Sequence, residues 1–97
     1  MLHLISIAGL PQNFLDRMAA GDDVMLLQAA VWSAMTGHQD NAKIMRLLSR
    51  PSQVYVLQEW LTVNGIEKHL VFPEVRIINY AGLVELTVKN PVNYTWC

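Results

Sequence analysis

The chemistry open to this chain rests on a small set of side chains, among them three histidines and one cysteine. A nucleophilic triad needs a serine or cysteine within reach of a histidine and an orienting carboxylate. His3, His38 and His69 fall at a predicted strand start, in a polar loop and shortly before a proline, and no nucleophile motif is near them. We interpret all three as exposed or structurally bonded histidines.

Metal and phosphate chemistry have equally little support in the sequence. No pair of histidines or carboxylates has the helical spacing that places two metal ligands on one face beside a third. The glycines are scattered and form neither of the glycine-rich phosphate-binding motifs. Asp22 and Asp23 precede a predicted strand, and we interpret them as a solvated turn. We therefore expect no metal and no cofactor.

Cys97 is the single cysteine and the last residue, so an intrachain disulfide is excluded. No basic residue adjoins it in the sequence to favour the reactive thiolate. We interpret Cys97 as an incidental terminal thiol, and a persulfide carried on Cys97 is the alternative.

Large aromatic side chains are the other notable feature, because a small domain cannot easily bury them all. Such side chains anchor protein interfaces, since they bury much area at low entropic cost. A core role is the alternative for at least half of them. They are Trp32, Trp60, Phe72, Tyr94 and Trp96.

The composition indicates one domain, residues 1–97, with an excess of apolar surface. Hydrophobic residues make up 53% of the 97 residues and charged residues 15%, where about 25% charged is usual. This surplus predicts contact with a partner subunit. The net charge of −1 argues against direct nucleic-acid binding. The apolar runs are far shorter than the ~20 residues that span a bilayer, and no leader is visible. We expect a cytoplasmic protein with no membrane contact.

Strand and helix patterns alternate along the chain. Strands are predicted in "LHLISIAG", "DVMLLQ", "QVYVLQ" and "EVRIIN". Helices are predicted in "LPQNFLDRMAAG", over residues 29–35, before Pro51, in "EWLTVNG" with Gly65 as its cap, and in "YAGLVELTVKNP". This alternation predicts an α/β fold, an open and mostly parallel sheet of about four strands with helices on both faces.

Four segments, in the same order, carry a resemblance to a known family. They are "MLHLIS", "GDDVMLLQAAVWSAM", "VYVLQEWLTVNGI" and "INYAGLVELTVKNPVNYTW". Together they resemble the TusB/DsrH family of DsrE-like sulfur-relay proteins, and the likeness runs from Met1 to Trp96. No single motif is diagnostic, whereas the collinear set is fairly specific. The resemblance implies a DsrE-like fold.

The resemblance also implies a function. Similar proteins form a heterohexamer with homologous TusC-like and TusD-like subunits, which passes persulfide sulfur toward the 2-thio group of the tRNA wobble uridine. The sulfur-carrying cysteine belongs to the TusD-like partner, whereas DsrH members carry a cysteine in the first helix. Residues 13–18 of this chain contain none, so it is closer to the TusB branch. A non-catalytic structural subunit is thus expected, and the isolated chain is expected to self-associate or aggregate.

The chain departs from the family after the second strand, where Ala29 and Ala30 replace a frequent Asp-Gly pair. Loss of the glycine removes freedom to adopt positive φ, so we expect the strand to continue directly into a helix. The predicted interface residues are Phe14, Trp32 and Trp60, because their helices flank the strand ends. The alternatives are an active persulfide carrier using Cys97, or a small-molecule-binding module at the strand ends.

Overall fold

The computed structural model describes residues 1–6, 21–35, 45–46, 53–90 and 92–96. The strands in this part of the chain are β1 (Leu2–Ile5), β2 (Asp23–Leu26), β3 (Gln53–Leu57), β4 (Arg76–Ile78) and β5 (Asn93–Trp96). Its helices are α1 (Gln58–Val63), α2 (Tyr80–Lys89) and the 3₁₀ helices Gln28–Ala34 and Lys68–Leu70. The helix predicted in "LPQNFLDRMAAG" lies outside the described residues apart from Gly21. Of the helix predicted before Pro51, only residues 45–46 are described, and they are helical.

The strands form one sheet in the order β4-β3-β2-β1-β5. Every neighbouring pair is parallel, which confirms the predicted sheet type. All of β2 is buried, because the inner strands of a parallel sheet are covered on both faces. This explains why the sequence of β2 is an unbroken apolar run after its first residue.

Two apolar cores cover the two faces of the sheet. Ile5, Leu26 and Val56 are in register across β1, β2 and β3 and share one core with residues of the first 3₁₀ helix and of α1. Side chains alternate between faces along a strand, so Met25 belongs to the opposite core, together with Leu86 of α2. Helices therefore lie on both faces, as predicted.

The sheet has five strands, whereas the sequence predicted about four. β5 pairs in parallel with β1, with Leu2 opposite Asn93 and Ile5 opposite Trp96. The sequence "NYTW" is short and half polar, and its partner strand lies at the other end of the chain. A pairing of that kind depends on the free hydrogen-bonding edge of β1, which no local pattern reveals.

Gly65 ends α1 as the sequence predicts. Its φ is 71°, a left-handed conformation that glycine adopts without a steric penalty. The amide of Gly65 donates to the Thr62 carbonyl at 3.1 Å, and the amide of Ile66 donates to the Leu61 carbonyl at 2.9 Å. This is a Schellman motif, and its usual apolar contact is present because Ile66 and Leu61 share a core.

α2 begins with a side-chain cap and a close contact to β4. The Oδ1 atom of Asn79 accepts a hydrogen bond from the Gly82 amide at 3.0 Å, which satisfies one of the free amides of the first turn. A Cβ atom on Gly82 would lie 2.9 Å from Cβ of Ile78. Glycine at this position therefore lets α2 pack closely against β4.

Candidate functional site

The carboxyl end of β2 is the first place to look for a site, because ligands of open α/β sheets bind at the carboxyl ends of the strands. The 3₁₀ helix Gln28–Ala34 follows β2 after a single residue, so the predicted direct continuation is correct. A helix was predicted over residues 29–35; the observed helix is 3₁₀ and runs from Gln28 to Ala34, while Met35 forms an isolated antiparallel bridge with Val71. Gln28 has φ of 50°, so positive φ occurs one residue before Ala29 and Ala30.

Trp32 and Trp60 are both partly buried and pack against the core. The indole Nε1 of Trp32 donates a hydrogen bond to Oδ1 of Asn64 at 3.2 Å, which links the 3₁₀ helix to the end of α1. Trp60 contacts both cores, so it closes the carboxyl end of the sheet. Phe14 lies outside the described residues. The interface role proposed for these three residues stays a prediction.

Exposed apolar side chains occur instead along α2. Tyr80, Val84 and Val88 are 55%, 59% and 79% exposed and follow one another at intervals of four residues. Side chains four apart on a helix are neighbours, so the three form a continuous outer stripe. Leu83 and Leu86 pack inward on the opposite side. We call Tyr80, Val84 and Val88 the outer stripe of α2.

The sequence pattern alone did not separate this stripe from the inward face, because Val84 and Val88 are apolar like Leu83 and Leu86. A signal was present in the sequence, since apolar residues surround α2 on two sides. A helix with apolar residues on more than one face is usually covered on more than one face. Among the described residues, the outer stripe is consequently a candidate surface for contact with a partner.

The amino ends of the strands hold a polar network that the sequence did not predict. Asp22 and Asp23 are both buried, so the interpretation as a solvated turn was wrong. The carboxylate of Asp22 lies 2.9 Å from Nε2 of His3 and 3.3 Å from the N-terminal amine of Met1. These partners explain how a carboxylate tolerates burial here. His3 is structurally bonded, as predicted.

Asp23 links the sheet to α2. Its Oδ2 atom accepts hydrogen bonds from Nδ2 of Asn90 at 2.9 Å and from Nζ of Lys89 at 3.1 Å. Asn90 also donates to the Leu86 carbonyl at 3.0 Å and so closes the last turn of α2. Because each buried group meets a partner within the chain, this network is a structural one.

The other candidate catalytic or metal-ligating side chains do not form a cluster in the described part of the chain. His69 is exposed and lies 3.3 Å from a carboxylate oxygen of Glu67, while His38 and Cys97 are outside the described residues. Among residues 1–6, 21–35, 45–46, 53–90 and 92–96, no cluster of three metal-ligating side chains occurs. In the same ranges no helix is both long and apolar enough to cross a membrane.

A pocket of about 300 Å³ lies between α2 and strands β3 and β4. It combines charged groups of both signs with an apolar floor. Its lining residues are Tyr55, Arg76, Ile78, Gly82, Glu85, Leu86 and Lys89. The pocket lies between the helix and the sheet, and its lining extends from Ile78, the last residue of β4, to Lys89 at the end of α2.

Fold and surface together define a class: a small α/β protein with an all-parallel five-stranded sheet and an uncovered apolar helix face. The model of a family described as DsrH like protein matches residues 11–93. The chain belongs to this DsrH-like family, as the sequence resemblance predicted.

Relatives of similar length carry the same name. The chain is 37% identical to Protein TusB of Erwinia tasmaniensis over 79 residues, which cover 81% of this chain and 79% of the relative. It is 33% identical to Protein TusB of Escherichia coli K12 over 79 residues, with the same coverage of 81% and 79%.

Solved structures support the fold alone. A protein of unknown function from Methanobacterium thermoautotrophicum superposes with a TM-score of 0.72 at 8% identity, covering 98% of this chain and 96% of that protein. The solution structure of a Thermotoga maritima protein superposes with a TM-score of 0.63 at 19% identity, covering 93% and 94%.

Proposed function

We propose that the chain is a non-catalytic structural subunit of a cytoplasmic sulfur-relay complex. In this complex the chain associates with homologous TusC-like and TusD-like subunits. The complex passes persulfide sulfur toward 2-thiolation of the tRNA wobble uridine, and the sulfur-carrying cysteine lies on the TusD-like partner. Membership of the DsrH-like family and the TusB relatives support the proposal.

The outer stripe of α2 is the observation that carries the structural role. Three large apolar side chains on one face of a ten-residue helix are exposed to between 55% and 79%. A subunit interface removes such a surface from water, which is favourable by about 25 cal/mol per Å² of apolar area.

A persulfide also needs a shielded setting, because an exposed one is lost to other thiols by exchange. A homologous subunit without a cysteine in its first helix is well suited to supply walls for a neighbour's pocket. Residues 13–18 contain no cysteine, and this agrees with a wall-forming role.

The test is the native mass of the assembly that a tagged copy of this chain recovers from its own cells. We expect a mixed complex with two homologous partners. Val88→Glu places a charge in the outer stripe, and we expect it to abolish recovery of at least one partner. Recovery of the chain alone, or as a homo-oligomer, would contradict the proposed function.

Thr87→Glu is the matched control. Thr87 precedes Val88 on the same helix and is also exposed, and it is offset from Val88 by about 100° around the helix axis. We expect this variant to recover the same complex as the unmodified chain. Equal loss in both variants would show a general effect of negative charge on α2, and intact complexes in both would remove the stripe from the interface.

A further inference from the structure

The pocket between α2 and strands β3 and β4 has the size and lining of a small-molecule site. Its volume is about 300 Å³, at the lower end of the roughly 300–1,000 Å³ found for ligand pockets. Such pockets are mostly apolar, with a few polar groups that orient the ligand. Here Ile78 and Leu86 supply apolar surface, and Tyr55, Arg76 and Glu85 supply polar groups.

Tyr55 brings a hydroxyl without a partner to the wall of this pocket. Tyr55 is 8% exposed and belongs to the same core as Leu86. In the described part of the chain its hydroxyl forms no hydrogen bond. A buried phenol usually has a hydrogen-bond partner, and the pocket that Tyr55 borders is where a ligand would supply one.

Arg76 lies beside Tyr55 on the edge strand of the sheet. The two residues are in register across β3 and β4. Arg76 is two residues before Ile78 on β4, so both side chains are on the face of the sheet that packs against α2. The guanidinium group of Arg76 forms no ion pair within the described ranges. Guanidinium groups bind carboxylates through two parallel hydrogen bonds, so Arg76 and Tyr55 together can hold a carboxylate.

α2 contributes charges of both signs to the pocket. The Nζ atom of Lys89 lies 3.1 Å from Oδ2 of Asp23, so the charge of Lys89 is already matched by a carboxylate. Glu85 is exposed, and its carboxylate forms no ion pair with Arg76 or with any other described residue. Among the residues that line the pocket, Arg76 is thus an unmatched cation and Glu85 an unmatched anion.

This pair of charges favours a ligand that carries both signs itself. A simple anion such as inorganic phosphate is attracted by Arg76 and repelled by Glu85, and a simple cation meets the reverse. An α-amino acid carries its carboxylate and its ammonium group on a single carbon. It can therefore bridge two protein charges that do not contact each other, while its side chain lies against Ile78 and Leu86.

We propose that this pocket binds the zwitterion of an α-amino acid with an apolar side chain. Arg76 and Tyr55 hold the carboxylate, and Glu85 holds the ammonium group. Charge-assisted hydrogen bonds are about twice as strong as neutral ones, so Arg76 and Glu85 contribute more to the affinity than Tyr55 does. The proposal goes beyond the proposed function and does not depend on it, because the pocket is formed within one chain.

The test titrates the full chain, or the complex recovered with it, with L-valine, L-leucine and L-methionine by calorimetry at two temperatures. Two analogues of L-leucine are the matched probes. They are 4-methylpentanoate, which lacks the ammonium group, and 3-methylbutylamine, which lacks the carboxylate. We expect L-leucine to bind, and each analogue to bind at least tenfold more weakly, because one charge-assisted contact is missing.

Substitutions in the pocket then identify the contacts. Arg76→Gln and Glu85→Gln each remove one charge, and we expect each to weaken the binding of L-leucine at least tenfold. Tyr55→Phe removes only the hydroxyl, and we expect a loss of about two- to tenfold. Glu67→Gln and Lys68→Gln are the matched controls, because they remove charges at exposed positions outside the pocket lining. We expect both to leave the affinity unchanged.

Three results would overturn the proposal. The first is no heat of binding with any of the three amino acids at millimolar concentration. The second is equal affinity for L-leucine and 4-methylpentanoate, which would make the pocket a site for simple carboxylates. The third is binding of L-leucine that is unchanged in both Arg76→Gln and Glu85→Gln. Each of these results leaves the proposed function untouched, since that function is tested by the native mass of the recovered assembly.

Discussion

Gln28 and Gly65 show how single residues with the same backbone conformation can affect stability differently. Both have positive φ, 50° and 71°. Gly65 meets this requirement with the residue type that best tolerates it, at the end of α1, where a Schellman motif needs it. Gln28 has a Cβ atom, so its backbone is strained in this conformation. The strained conformation lies just after β2, whereas the glycine ends a helix.

We expect Gln28→Gly to stabilise the free chain by about 0.5–1 kcal/mol. Glycine removes the strain of the left-handed conformation, but it also gives the unfolded chain more conformational entropy, which offsets part of the stabilisation. Equilibrium urea unfolding measures the change. Ala29→Gly is the matched control at the next position, which has ordinary backbone geometry. It should destabilise the chain by about 0.5–1 kcal/mol. A loss of stability in Gln28→Gly would show that Gln28 is unstrained.

Secondary-structure elements are joined at the amino edge by buried polar contacts, in addition to apolar packing. The start of β2 is linked to the end of α2 through Asp23, which is 1% exposed. Asn90 is the buried donor of this link, and Lys89 is the exposed one. Buried hydrogen bonds contribute more than surface ion pairs because water does not compete for them. The link therefore depends mainly on Asn90.

We expect Asn90→Ala to lower the free energy of unfolding by about 1–3 kcal/mol, because it leaves the buried Asp23 carboxylate short of a donor and opens the last turn of α2. Lys89→Ala is the control. Its side chain is 62% exposed, and its loss should cost less than about 1 kcal/mol. Urea unfolding of both variants measures the difference, and an equal loss would contradict the assignment of the link to Asn90.

The whole molecule is too small to cover all the apolar surface its sequence supplies. Two cores occupy the two faces of the sheet, and the outer stripe of α2 remains exposed. A domain below about 100 residues buries a smaller share of its surface than a larger one. Association with homologous subunits would cover this apolar surface. The function proposed for the chain therefore depends on subunit contacts and not on a reactive group of its own.

Cys97→Ser separates the structural role from the alternative of a persulfide carried on this chain. We expect the 2-thiouridine content of tRNA, measured by mass spectrometry of digested nucleosides, to be unchanged in a strain carrying the variant. Deletion of the chain should lower it severalfold, because the partners lose a wall of their complex. A drop in the Cys97→Ser strain equal to that in the deletion strain would establish the sulfur-carrier alternative.

Sequence alone determined the features that depend on near neighbours. The apolar run of β2 and the glycine cap at Gly65 depend on burial pattern and backbone sterics within a few residues. The alternation of strands and helices then led to a parallel sheet, since parallel strands need crossover connections. The family could also be recognised from the sequence, because the resemblance lies in short segments that occur in the same order along the chain.

Only the tertiary structure decided the features that arise from residues distant in the chain. β5 exists because β1, some ninety residues earlier, offers a free edge. Asp23 is buried because Asn90 reaches it. The exposure of Val88 is likewise set by which elements pack against α2 and which do not. Composition and local pattern describe what a residue is, whereas its burial and its partners follow from long-range contacts that only the folded chain supplies.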